Sequence, residues 1–104
     1  ETVTRTSTAG ADVVVGHWKG GRIGMVRGER AGGSDYGAVV YTPKKNVAAA
    51  PSKDAPYAAM LGEVVKFFQT GVPPVPNEVT LEIFAFMDAA QRSKEAGGAP
   101  TRLN

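Results

Sequence analysis

The chain has 104 residues and a mass of 10.9 kDa, the size of one domain, and its 42% hydrophobic and 21% charged residues argue against wholesale disorder. It has no cysteine and one histidine, His17, which removes disulfide frameworks, thiolate zinc sites, iron–sulfur clusters, cysteine nucleophiles and multi-histidine metal centres. A net charge of +2 is slight for a nucleic-acid footprint despite a pI near 9.1, and no apolar run approaches the ~20 residues that span a bilayer.

The opening ETVTRTSTAG has neither an initiating methionine nor the basic-then-apolar pattern of a secretory signal. The expectation is a soluble chain trimmed from something longer, its compartment open with the cytoplasm favoured. Val3–Thr8 is rich in threonine but poor in apolar residues, and reads as an edge strand or a frayed end. Ala11–Trp18, Lys19-Gly20-Gly21 and Arg22–Arg30 read as a hairpin, the glycines supplying the positive φ of a tight turn. A three-residue turn gathers Val13, Val15, Ile23 and Met25 on one face, and a two-residue turn shifts the pairing by one. The first is preferred because it collects the larger aliphatic residues; the other face then carries Val14, Trp18 and Val26 beside Gly16, Gly24 and Gly28. After the loop Ala31–Asp35, Tyr36–Thr42 reads as a third strand stopped by Pro43, and Val47–Ala50 as a short fourth before Pro51.

From residue 55 the apolar spacing becomes helical. Asp54 is the expected N-cap of a first helix, with Tyr57, Met60, Leu61, Val64 and Phe68 forming one stripe and Gly71 ending it before Pro73 and Pro74. Asn77 is the expected cap of a second helix that runs to about Ala96, stops at Gly97-Gly98 and leads to a short last strand within Pro100–Leu103. The expected fold is α+β: an antiparallel sheet of about four to five strands, from residues 1–50 plus the last strand, with two helices (about 55–70 and 77–96) packed on one face.

Motifs for chemistry are sparse. His17 lacks the partners of a catalytic base, so a structural or solvent-edge role is preferred. The glycines join strands and form neither GxGxxG between strand and helix nor GxxxxGK[ST], so a phosphate cradle is rejected. Glu78/Glu82 and Gln91/Glu95 are ordinary exposed helix pairs, while Arg92 and Lys94 suit the negative end of a helix dipole. Lys19, Arg22, Arg27 and Arg30 make the hairpin basic, but it lacks the aromatic platform on which RNA-binding sheets stack bases.

The more specific signal lies in residues 63–75, EVVKFFQTGVPPV, followed by residues 77–98, NEVTLEIFAFMDAAQRSKEAGG. Together they resemble the C-terminal end of the Gfo/Idh/MocA family, the relatives of glucose–fructose oxidoreductase and inositol 2-dehydrogenase. That family typically closes with a tGkpP turn, an acidic helix, an A…S…GG run and a short strand. The specific part covers residues 55–103, about half the chain; the strand-rich half is compatible with the family but less diagnostic.

The resemblance implies the latter part of the C-terminal domain of a two-domain, NAD- or NADP-dependent sugar or polyol oxidoreductase. The implied parent has an N-terminal Rossmann domain carrying the dinucleotide and a lysine motif, neither of which matches anything in this chain. The family's catalytic Asp and His have no match either, and His17 is not assigned that role. The expected function is therefore a substrate-side and oligomerisation domain with no catalytic, cofactor-binding or metal residue of its own. Its partners are the Rossmann domain and a second subunit, without nucleic acid or membrane. Val14, Trp18, Val26, His17 and Arg22 are the candidates for a subunit- or substrate-facing sheet surface. The alternative is a stand-alone α+β binding or protein-interaction module with no oxidoreductase role.

Overall fold

The computed structural model describes residues 1–33, 35–49 and 56–104, which fall into two compact units. The first comprises residues 1–33 and 75–104 and contains β1 (Thr2–Ser7), β2 (Ala11–His17), β3 (Ile23–Glu29), α2 (Asn77–Glu95) and β6 (Thr101–Arg102). The second, residues 34–74, contains β4 (Ala38–Tyr41), β5 (Asn46–Ala49) and α1 (Pro56–Thr70). The α+β class is as expected, with one refinement. The strands divide between a four-stranded antiparallel sheet, ordered β3-β2-β1-β6, and a separate β4–β5 ribbon.

The β2–β3 hairpin has the three-residue turn. The Trp18 N–H donates to the Arg22 carbonyl at 2.9 Å, and the Gly21 N–H donates to the Trp18 carbonyl at 3.2 Å. Gly20 and Gly21 have φ of +85° and +80°, a left-handed geometry that disfavours any side chain with a Cβ. Val15 therefore lies opposite Met25, and Val14 opposite Val26.

The expectation of an edge or frayed β1 is corrected. This strand lies inside the sheet, with β2 along its whole length and β6 against Thr2 and Val3. A threonine-rich strand is stable there because only one face needs apolar cover. Val3 supplies it: the residue is fully buried in a cluster with Ala89 and Ala90 of α2, and Val14, Phe86 and Leu103 pack around them.

Helix α2 approaches the sheet through small side chains. Ser93 is fully buried, accepting a hydrogen bond from the Arg5 N–H at 2.9 Å and donating to the Ala99 carbonyl at 2.8 Å. The hydroxyl thereby satisfies a β1 amide beyond the end of the two-residue partner β6. Just past the helix, Gly98 donates to the Ser93 carbonyl at 2.8 Å and Gly97 to the Lys94 carbonyl at 3.1 Å. With φ of +68° at Gly97, this is a Schellman closure, formed at the glycine pair where the helix is expected to stop. A Cβ on Gly98 would stand 3.3 Å from the Arg5 carbonyl oxygen, so the chain passes close to β1 here.

The start of α2 differs from expectation. Pro76, not Asn77, occupies the cap position, and no side chain caps the helix. The Pro76 carbonyl accepts instead from the Val79 and Thr80 N–H groups, while proline's fixed φ (here −58°) presets the entry. Glu78 in the first turn and Arg92 and Lys94 in the last match the helix dipole.

In the second unit, β4 pairs with β5 from Ala38↔Ala49 to Tyr41↔Asn46. Thr42 closes the turn, its hydroxyl donating to the Lys45 carbonyl and accepting from the Lys44 and Lys45 N–H groups. Helix α1 ends as expected at Gly71, whose φ is +69° and whose N–H donates to the Phe67 carbonyl. The expected cap Asp54 and strand stop Pro51 lie outside the described residues.

Ser93→Ala strands the Arg5 amide and the Ala99 carbonyl without adding space for water. It is expected to lower unfolding stability by about 1–3 kcal/mol in urea titration, and a loss below about 0.5 kcal/mol, the range of an ordinary surface change, would contradict the role given to this hydroxyl.

Candidate functional site

Period-two alternation gives the β2–β3 hairpin two chemically different faces. Val14, Gly16 and Trp18 lie on the side toward α2, and Val13, Val15 and His17 on the other. Trp18 determines how the first side is filled. Its ring stacks on Phe86 with centroids 5.5 Å apart and planes at 12°, and its Nε1–H donates to Glu82 Oε1 at 2.6 Å. The ring lies directly over Gly16 and Gly24. A Cβ built on Gly16 would stand 2.6 Å from the Trp18 ring and 2.7 Å from Phe86, and one on Gly24 would stand 3.0 Å from Trp18. These two glycines leave the space that the indole occupies beneath the helix.

The five candidate surface residues are thus separated. Val14 packs against the Val3–Ala89–Ala90 cluster, and Trp18 stacks on Phe86 of α2. Val26 shares their side through its pairing with Val14 but remains exposed on the edge strand. Arg22 follows the turn with its side chain exposed. His17 is on the opposite side, exposed, between Thr2 of β1 and Ile23 of β3.

That opposite side has no helix of its unit over it. It carries Val13 and Val15, half-buried, and Ile23 and Met25, which are 67% and 68% exposed. Threonines 2, 4 and 6 continue it onto β1. Four neighbouring aliphatic side chains on one face of the hairpin form a contiguous apolar surface, the kind that monomeric proteins usually keep small. The same four residues were grouped by the turn register at the sequence level; their being the uncovered group was not foreseen.

The polar cluster of the unit lies at the other end of the hairpin. Asp12 accepts from Arg5 Nε at 3.0 Å and is also bound by the Ser7 hydroxyl and the Arg30 guanidinium, whose Nη1 donates to the Thr8 carbonyl at 2.8 Å. The hydrogen bond from Arg5, then that from Ser7, holds the Asp12 carboxyl well below the usual carboxylate range; partial desolvation opposes them, and the Arg30 and Arg5 charges add to the lowering. A carboxylate so engaged is a poor proton acceptor. Its role is to fasten β1, β2 and the end of β3 together. The spacing of Arg5, Asp12 and Arg30 gave no hint of this, since they meet only through strand register. Arg27 is likewise paired, with Glu29, so two of the four basic hairpin residues are held in ion pairs.

Beside this cluster, Arg5, Ser7, Lys94, Gly97 and Gly98 border an open cleft of about 220 Å³. Among the described residues no three of His, Cys, Asp and Glu are placed to hold a metal ion, and no helix is long and apolar enough to cross a membrane. In a Rossmann-type site the dinucleotide's phosphates sit on a glycine loop that runs from a strand into a helix N-terminus. Here Gly20 and Gly21 join antiparallel strands, and Gly71, Gly97 and Gly98 follow helix C-termini, so these glycines do not form such a loop.

Compared with protein-family models, with curated proteins and with solved structures, the chain matches none.

Removing the Asp12 charge by Asp12→Asn is expected to lower the melting temperature at neutral pH. Because the folded carboxyl ionises below its unfolded value of about 3.9, its contribution is complete above that pH and fades as pH falls through the lowered folded pKa. The gap between wild type and variant should therefore narrow towards about pH 2; an equal gap at both pH values would rule out the charged pairing as its source.

Proposed function

We propose that this chain is a substrate-side and subunit-contact domain of an NAD- or NADP-dependent oxidoreductase acting on a sugar or polyol, with the dinucleotide held by a separate Rossmann domain. The resemblance of residues 55–103 to the end of Gfo/Idh/MocA proteins supplies the enzyme class. The structural observation that carries the domain role is the one-sided sheet. Helix α2 buries one face through Val3, Ala89 and Ala90, while Val13, Val15, Ile23 and Met25 present the other.

Burying those four side chains against a second subunit is favourable at roughly 25 cal/mol per Å² of apolar surface. The charged strand residues on that face, Arg27 and Glu29, do not oppose this, because they are paired with each other. His17 stands at the end of the apolar rows, where a contact surface gives way to a polar margin. Substrate-side function fits the same geometry: a rigid sheet contributes a wall, and the reacting groups come from elsewhere in the parent enzyme.

Sedimentation velocity across a concentration series tests the contact role. The wild-type chain is expected to self-associate, and Met25→Lys, which puts a charge on the open face without entering the α2 interface, should be monomeric with an unchanged circular dichroism spectrum. A wild type that stays monomeric at millimolar concentration, or a Met25→Lys variant that associates as the wild type does, overturns it.

Titration with NAD and NADP tests the division of labour. No binding is expected to the 104 residues alone, and a saturable micromolar signal would contradict the placement of the cofactor site in another domain.

A further inference from the structure

We draw no further inference here: the strongest candidate, the open cleft bordered by Arg5, Ser7 and Lys94 at the C-terminal end of α2, carries no proposal because Arg5 and Ser7 are already bound to Asp12, the neighbouring Gly97 and Gly98 amides are used in closing the helix, and nothing in the structure points to a ligand there.

Discussion

The buried hydroxyl of Ser93 is the constraint on which the first unit depends. It accepts from the Arg5 amide and donates to the Ala99 carbonyl, joining an internal strand, a helix and the approach to the last strand through one oxygen. A two-residue β6 cannot satisfy the outer edge of the six-residue β1, and a buried amide without a partner is costly. A side chain from α2 completes what the short strand leaves open. That requires the helix to lie close to β1, which explains why the residues at the contact are Ala89, Ala90 and Ser93. The Gly97–Gly98 reversal then returns the chain along β1, with Gly98 close to the Arg5 carbonyl.

A helix held this near β1 covers β1 and β6 and reaches β2, but it does not cover the full width of the sheet. The remaining space is filled by Trp18, which lies flat over Gly16 and Gly24 and stacks on Phe86. Large aliphatic residues at the glycine positions would exclude the indole, so the face with the smaller side chains becomes the covered one. The larger aliphatic residues, Val13, Val15, Ile23 and Met25, are left on the other side by strand alternation alone. The uncovered apolar surface is thus a consequence of the same packing that forms the core.

Local chemistry made much of this legible. Gly20-Gly21 marked the hairpin turn, and Gly71 and Gly97-Gly98 marked helix ends, because each position requires a backbone conformation that favours glycine. The helix Pro56–Thr70 and the last strand Thr101–Arg102 were legible for similar reasons of period and punctuation. What escaped was tertiary. β1 looked peripheral because Val3 is its one aliphatic residue, yet among the described residues Val3 is the largest fully buried side chain of the core, and its strand is satisfied by a serine 88 residues from Arg5. Aliphatic volume gave no sign that α2 takes the glycine face, where the Trp18 indole fills the space over Gly16 and Gly24. Asn77 is a good capping residue by type, but Pro76 already holds the extended geometry that a cap needs. The Arg5–Asp12–Arg30 cluster depends on register across three strands, which no linear spacing displays.

For function, the proposed substrate-side and subunit-contact role rests on the resemblance of the helical half, and the exposed aliphatic face of the hairpin is compatible with it. The proposal places the dinucleotide and the reacting groups in a preceding domain. The most direct measurement is the sequence of the coding strand on the 5′ side of the Glu1 codon. A continuous open frame encoding a strand, a GxGxxG turn and a helix, in that order, is the expected result. A start codon adjoining Glu1, with no such segment upstream in frame, would contradict the assignment to an oxidoreductase and leave a stand-alone interaction module in its place.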